Sequence, residues 1–190
     1  MKVLAISGSA RAASTNTALL QALSRHAPGD CVVDVFDGLL QLPIFSQDLE
    51  GPPAPAPVEA FAGAVRDADA IVISCPEYVH ALPGGFKNAI DWLVSREELI
   101  GKPIALLHAS HRGEDALAQL RVVLGTVSDR FAVDIFERFS LVSQTPEEIA
   151  RYCARPEVSQ RLRDFLLRLS DFVAQEAPAP AGASVPQGLE

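Results

Sequence analysis

The sequence predicts an α/β fold: a doubly wound sheet of five parallel strands with helices on both faces. Short apolar runs alternate with helical patterns along the chain, and this rhythm is typical of parallel βαβ units. The run at 69–75 is the most apolar and is therefore expected at the centre of the sheet. The run at 31–36 contains Asp34, which favours an edge or a strand end.

The individual elements follow from the spacing of apolar residues. Strands are predicted at 2–6, 31–36, 69–75, 103–109 and 132–136, the last running on toward Val142. Helices are predicted from a cap at Ser14 or Thr15 to residue 27 and at 58–68, 84–94 and 114–128. A capping box at Thr145-Pro146-Glu147-Glu148 starts a short helix, and a longer one follows at 156–175.

The longest irregular segment is predicted at 38–57. Four prolines lie within its last six residues, at 52, 53, 55 and 57, and they are expected to exclude a helix and a ladder-forming strand there. A rigid crossing of the surface is one interpretation. A lid or a subunit contact is the other, because long loops in small domains often have a function.

Composition limits the function classes. The 190 residues suit one domain at 1–176, and the Ala/Pro-rich stretch at 177–190 is expected to be a disordered tail. The formal net charge of −8 argues against nucleic acid or an anionic membrane as a partner. Three widely spaced cysteines, with no metal-binding pattern, indicate a reducing compartment. No signal peptide or membrane span is recognisable, so a cytoplasmic location is expected. No metal site is predicted, because the cysteines lack a metal-binding pattern.

The loop that follows the first strand has the features of an anion site. The apolar run 3–6 stops at small and hydroxylic residues, and a helical pattern begins within a turn. A helix N-terminus offers free N–H groups and a positive dipole end, and Arg11 adds a charged fork that suits phosphate. Further hydrogen-bonding side chains are available at Ser9, Ser14, Asn16 and Thr17. A phosphate site and a well-capped turn both remain open at this point.

Two further loops are expected beside this one. In open α/β sheets the ligand binds outside the carboxyl ends of the strands, where the strand order reverses. This rule brings the loops at 7–16, 76–83 and 110–113 to one rim of the sheet. The candidate site therefore consists of three loops.

Two motifs in these loops resemble those of a known family. Residues 8–16 (Gly-Ser-Ala-Arg-Ala-Ala-Ser-Thr-Asn) match a GSxRxxSxN phosphate loop. Pro76-Glu77-Tyr78 and the run 83–92 (Pro-Gly-Gly-Phe-Lys-Asn-Ala-Ile-Asp-Trp) match a PEY…PGxxKNAIDW signature. Over most of residues 1–130 the chain thus resembles the flavodoxin-like NAD(P)H-dependent FMN reductases, which include quinone, azo-dye and chromate reductases.

The resemblance implies a fold and an activity. It implies a flavodoxin-like sheet in strand order 2-1-3-4-5 and a tightly bound FMN, with NADPH or NADH as the electron donor. A hydride would pass to FMN, and two electrons would then pass to a quinone, azo, flavin or similar small-molecule acceptor. It also implies a homodimer or homotetramer. The alternative is a non-catalytic electron carrier like flavodoxin; Arg11 and the second motif favour the enzyme.

The resemblance also implies the residues that contact FMN, with no protein acid or base required because the hydride passes directly to the flavin. They are Ser9, Arg11, Ser14, Thr15, Asn16, Thr17, Pro76, Glu77, Tyr78, Val79, Ser110 and Gly113. Val79 stands where the family usually has Asn, so only a backbone contact is expected there. The roles of His80, His111 and Arg112 stay open between ligand contact and solvated surface. Structural and dimer-contact roles are implied for Lys87, Asn88, Asp91 and Trp92.

Overall fold

A computed structural model describes residues 1–175, and the tail predicted at 177–190 lies outside these residues. The chain forms a five-stranded parallel sheet in the order β2-β1-β3-β4-β5, as predicted. The strands are β1 (Lys2–Ser7), β2 (Val32–Phe36), β3 (Ala70–Ser74), β4 (Ile104–His108) and β5 (Phe131–Arg138).

The position of each strand agrees with its composition. β3 is buried along its whole length and pairs with β1 on one side and β4 on the other. β2 lies at an edge, where Asp34 is exposed to solvent. Both predictions are confirmed. β5 begins one residue earlier than predicted and extends to Arg138.

Helices cover both faces of the sheet. The structure has α1 (Thr15–Arg25), α2 (Ala56–Asp67), α3 (Gly84–Asp91), α4 (Glu114–Val127), α5 (Pro146–Cys153) and α6 (Pro156–Ala174). One core cluster lies under α1, α5 and α6, and the other under α2, α3 and α4. In the central strands β1, β3 and β4, alternate residues enter alternate clusters, since successive side chains of a strand point to opposite faces. In β1, for example, Val3 and Ala5 belong to the first cluster, and Leu4 and Ile6 to the second.

The start of α2 and the end of α3 differ from the prediction, and the other helices predicted up to 27, 128 and 175 end one or two residues earlier. α2 begins at Ala56, within the proline-rich segment, because a proline such as Pro57 is tolerated in the first turn, where its missing N–H has no helical acceptor. The prediction that this residue excludes a helix was therefore wrong. α3 ends at Asp91 instead of residue 94 because i→i+3 hydrogen bonds tighten the chain after it, including that from Leu93 N to Ile90 O at 2.9 Å. Single 3-10 turns interrupt the long segment before α2 at Leu39–Gln41 and Gln47–Leu49.

No helix within residues 1–175 combines the length and the apolar character that crossing a membrane requires. The parallel arrangement places the carboxyl ends of β1, β3 and β4 side by side, at Ser7, Ser74 and His108. The three predicted loops follow these residues, so the sheet brings them to one rim.

Candidate functional site

The loop after β1 is held by its own hydroxyl groups. Ser14 is the N-cap of α1, and its Oγ accepts a hydrogen bond from Thr17 N at 3.2 Å. The Thr17 hydroxyl donates to Ser7 Oγ at 2.9 Å, and Asn16 Oδ1 accepts from the Ser74 hydroxyl at 2.9 Å. These side-chain bonds fix the loop. The N–H groups of Thr15 and Asn16, in the first turn of α1, then remain as donors for a ligand.

A glycine lets this loop lie directly against the end of β3. Gly8 N donates to Ser74 O at 2.8 Å, and a Cβ on Gly8 would lie 2.4 Å from Cys75 Sγ. No larger residue fits without moving the strand end. Cys75 itself is buried, and burial raises the pKa of its thiol to about 12. It therefore packs as a small apolar residue and does not present a thiolate.

Arg11 is one of two arginines at this rim; the other, Arg112, belongs to the third loop. The Arg11 side chain is exposed, and within residues 1–175 its guanidinium has neither a carboxylate nor a hydrogen-bond partner. It borders two cavities, one toward β3 and β4 and one toward β2. An arginine held at a helix N-terminus without a counter-ion is suited to bind an anion such as a phosphate.

The second loop contains a strained two-residue turn. Tyr78 and Ala81 exchange two backbone hydrogen bonds of 3.1 Å, and the residues between them, Val79 and His80, have φ of +54° and +58°. This is the backbone of a type I′ turn, which favours Asn and Gly. Valine is β-branched and is disfavoured at positive φ. The Asn that the family usually has at this position would fit the turn better.

Side chains tie this turn to α4. Glu77 Oε2 accepts a hydrogen bond from Ala116 N at 3.0 Å, so this carboxylate caps the N-terminus of α4. Gln119 donates to His80 O at 3.0 Å and accepts from Leu82 N at 3.3 Å. His80 Nδ1 also lies 2.6 Å from Asp115 Oδ2. The second loop and the start of α4 thus form one unit.

The third loop is closed by a histidine. His108 Nε2 lies 2.6 Å from Arg112 O, and Arg112 N donates to Ser110 Oγ at 2.9 Å. Gly113 follows with φ +98° and is the N-cap of α4. The Arg112 guanidinium donates to His111 Nε2 at 3.2 Å, and both of these side chains are exposed.

The three loops enclose a cavity of about 380 Å³, a size typical of small-molecule sites. Several predicted contact residues line it: Arg11, Thr15, Asn16, Pro76, Glu77, Ser110 and Gly113. The remaining lining residues are Cys75, His108, Ala109, Arg112, Val142 and Ser143. The cavity is thus lined by predicted contact residues from all three loops.

Five predicted contact residues do not line this cavity. Ser9 and Thr17 line a second cavity of about 250 Å³ on the β2 side of Arg11, and Ser14 is buried as the cap of α1. Tyr78 and Val79 stand on the exposed turn, where they are 51% and 95% exposed.

Five lining residues were not predicted as contacts: Cys75, His108, Ala109, Val142 and Ser143. His108 is the last residue of β4, and that position was itself a usable signal because ligands bind at the carboxyl ends of such strands. Val142 and Ser143 follow β5 and belong to no motif. The residues present fit FMN, the cofactor that the resemblance implies. An unpaired arginine and a helix N-terminus suit its phosphate, and loop backbone suits its ring.

The polar residues of the second motif have contacts within the chain. Asn88 Nδ2 donates to Pro43 O at 2.9 Å, and its Oδ1 accepts from Phe45 N at 2.8 Å. Trp92 Nε1 also donates to Pro43 O, at 2.7 Å. Lys87 forms an ion pair with Asp91 one turn along α3. The motif therefore anchors the long irregular segment to α3.

Comparisons with known proteins identify relatives of this chain. A family model described as NADPH-dependent FMN reductase matches residues 1–142. Quinone reductase from Escherichia coli (strain K12) is 36% identical over 113 residues, which is 58% of this chain and 60% of that protein. Probable NADPH:quinone oxidoreductase 2 from Oryza sativa subsp. japonica is 32% identical over 196 aligned positions, which cover 96% of this chain and 94% of that protein.

A solved structure has the same fold. The flavoenzyme NAD(P)H:(acceptor) oxidoreductase FerB from Paracoccus denitrificans superimposes with a TM-score of 0.69 at 23% identity, covering 90% of this chain and 96% of that one. The chain spans about 60% of the length of the first curated relatives that it matches.

Proposed function

The chain belongs to the NADPH-dependent FMN reductase family, and from this premise we propose that it is an FMN-dependent NAD(P)H oxidoreductase. When bound, FMN would supply the redox chemistry, which is hydride transfer from NADPH or NADH and transfer of two electrons onward to a quinone, azo, flavin or similar acceptor. The names of the relatives, quinone reductase and NADPH:quinone oxidoreductase, favour a quinone among these acceptors.

One observation carries the proposal. The unpaired Arg11 and the N-terminus of α1 lie at one side of a cavity whose opposite wall consists of loop residues after β3 and β4. Arg11 and the N–H groups at Thr15 and Asn16 would bind the phosphate, which is close to a dianion at neutral pH. Pro76, Glu77, Ser110 and Gly113 would border the ring, largely through their backbone groups.

The other predicted residues have supporting roles in this proposal. Ser14 and Thr17 hold the phosphate loop through the hydrogen bonds described above, and Ser9 Oγ accepts a hydrogen bond from Arg11 N at 3.3 Å. The exposed Tyr78 offers a flat apolar surface beside the cavity, and Val79 shapes the turn that presents it. The chain needs no acid or base of its own for the hydride step, because orientation of donor and flavin is what that step requires.

The decisive experiment is anaerobic reduction of the FMN-loaded protein. Addition of NADPH or NADH should bleach the visible flavin absorbance within seconds, and addition of a quinone, an azo dye or free FMN should then restore it. Running the screen with both nicotinamides identifies donor and acceptor together. A protein that holds FMN but is bleached by neither nicotinamide would be an electron carrier, whose acidic surface suits basic redox partners. A protein that does not bind FMN would refute both proposals.

We also propose that the protein is a homodimer or homotetramer. An apolar groove of about 460 Å³ lies between α3 and α4 beside the second loop, and Val122 on its wall is 71% exposed. Contact with a second copy would bury this surface. Sedimentation should give a mass above the 20.3 kDa of one chain. Val122→Glu should reduce the measured mass, because it places a charge in the groove. A monomer at micromolar concentration would contradict the proposal.

A cytoplasmic location is part of the same proposal. The structure records Cys31, Cys75 and Cys153 as free thiols within the described residues, which fits a reducing compartment. Fractionation of the source cells, followed by detection of the chain with a specific antibody, tests the location; recovery from an oxidising compartment would contradict it.

A further inference from the structure

His108 is a buried titratable residue that neither motif contains. It ends β4 and borders the cavity, and it is only 2% exposed. Its Nε2 lies 2.6 Å from Arg112 O. Because a carbonyl oxygen only accepts hydrogen bonds, Nε2 must carry a hydrogen. This contact closes the Ser110–Gly113 loop onto the strand that precedes it.

The second ring nitrogen of His108 has no partner. Nδ1 is the one buried side-chain nitrogen or oxygen in the described part of the chain that lacks a hydrogen bond. In the neutral ring this nitrogen is an acceptor, and leaving it unpaired costs the loss of its bond to water. In the protonated ring it would be a buried N–H without an acceptor, with the added cost of a buried charge. The packing therefore admits the neutral ring and opposes the cation.

The groups around the imidazole also favour its neutral form. Burial lowers the pKa of His108, and the Arg112 carbonyl partly offsets this. Arg138 on β5 and Arg121 on α4 lower the pKa further, while Glu114 on α4 raises it. Glu114 is itself paired with Arg138 at 2.6 Å, so its charge is largely compensated. None of these charged side chains is a hydrogen-bond partner of Nδ1.

The loop and the ring are in direct contact. A Cβ on Gly113 would lie 3.3 Å from His108 Cε1 and 3.5 Å from the Cβ of Glu77. The loop backbone is thus packed between the imidazole and the carboxylate side chain that caps α4. A change in either neighbour would be transmitted to the wall of the cavity.

We propose that His108 is a positioning residue for the flavin cavity: its neutral imidazole holds the Ser110–Gly113 loop against the cavity. The Nε2–H donor survives protonation, but the new Nδ1–H has no acceptor in the closed site, so the cation favours a loop that has moved away and lets water reach Nδ1. This inference rests on the proposed function, since FMN affinity reports the state of the loop. FMN affinity should consequently fall when the pH is lowered through the titration of His108.

The test compares wild type with His108→Gln, which keeps an N–H donor but does not titrate. FMN dissociation constants are measured by fluorescence quenching from about pH 8 to about pH 5, a range that includes the second ionisation of the FMN phosphate near 6. That ionisation affects both proteins alike. At pH values below the pKa of His108 in the FMN-free protein, the dissociation constant of wild type should rise faster than that of the variant. The extra rise is at most about tenfold for each pH unit. Equal slopes would overturn the proposal.

Two further measurements test the role of His108. The first uses the wild-type protein and does not require FMN binding; the second compares two variants. Nitrogen-15 NMR of the wild-type protein should show His108 as a neutral imidazole with the proton on Nε2 at neutral pH. A cation or an Nδ1–H tautomer for His108 would refute the inference whether or not FMN binds. At about pH 8 His108→Leu, which lacks the donor, should bind FMN about tenfold more weakly than wild type, with most of the loss restored in His108→Gln. If leucine and glutamine are equally weak, the loop bond is not the cause.

Discussion

Arg11 is the residue that favours a phosphate site over a simple well-capped turn as the interpretation of the first loop. The hydroxyl groups of its loop bond to one another and to neighbouring strand ends, while the guanidinium has no partner within residues 1–175. Its free charge in a protein of net charge −8 has no structural use that the described contacts reveal. The anion that would use it is the FMN phosphate.

Substitution of Arg11 tests this role. Arg11→Ala should weaken FMN binding roughly 10- to 100-fold, because a charge-assisted hydrogen bond contributes about 1.5–3 kcal/mol. Equilibrium dialysis or fluorescence quenching measures the effect. Arg163→Ala removes the same charge from the exposed face of α6, far from the rim, and serves as the control. If the two variants bind FMN equally well, the phosphate does not lie at Arg11.

Val79 has a backbone conformation that a β-branched residue disfavours. With φ at +54° and a side chain that is 95% exposed, it gains no burial that would offset the strain. Val79→Asn should therefore raise the free energy of unfolding by about 1 kcal/mol. Urea denaturation of the flavin-free protein measures this. Val94→Asn, at another exposed position but without a positive φ, should give no such gain. A loss of stability in Val79→Asn would show that the turn is not strained.

At the level of elements, α4 connects two of the three loops. Gly113 at its start ends the third loop, and the Glu77 carboxylate from the second loop caps its first turn. Gln119, one turn further along, clamps the strained turn through the backbone of His80 and Leu82. The glutamate of the second motif thus has a structural use that requires no chemistry at the flavin.

Loss of the Glu77 cap should lower the stability of the protein measurably. Glu77→Ala removes the acceptor of the Ala116 N–H and should lower the free energy of unfolding by about 1 kcal/mol. Glu77→Gln keeps an oxygen acceptor and should lose less than half of that amount, since only the interaction of the charge with the helix dipole disappears. Denaturation with urea compares them with Glu97→Ala, which removes an exposed glutamate elsewhere. Equal stability of Glu77→Ala and Glu97→Ala would exclude the cap.

At the level of the whole molecule, the sheet was predictable and the details of the rim were not. Apolar runs and Asp34 were sufficient to place β3 at the centre and β2 at an edge, because burial on two faces requires a continuous apolar run. The position of Tyr78 on an exposed turn depends on the φ values of Val79 and His80, which no local pattern encodes. The orphan nitrogen of His108 likewise depends on long-range packing.

An ion-pair network at the surface, in which only Glu98 is largely covered, connects α2 to the segment after α3 and should contribute to the stability of the molecule in acid. Glu98 is 9% exposed at its side chain and lies 2.7 Å from Arg66 and 3.2 Å from Arg96, which also pairs with Glu59 at 3.0 Å. Burial raises the pKa of Glu98, but the hydrogen bonds from the two arginines outweigh it and lower the pKa to about 2. The folded pKa is thus below the unfolded value of about 4.3.

The sign of the effect follows from linkage. A carboxyl whose pKa is lowered by folding stabilises the protein fully above its unfolded pKa, and the contribution is lost as the pH falls through the folded pKa. Glu98→Gln should therefore be about 1–3 kcal/mol less stable than wild type near pH 7. The difference should shrink as the pH is lowered below about 4 toward about 2. Urea denaturation across this range measures it, with Glu97→Gln as the exposed control. A difference that stays constant with pH would show that packing, and not the charge of Glu98, supplies the stability.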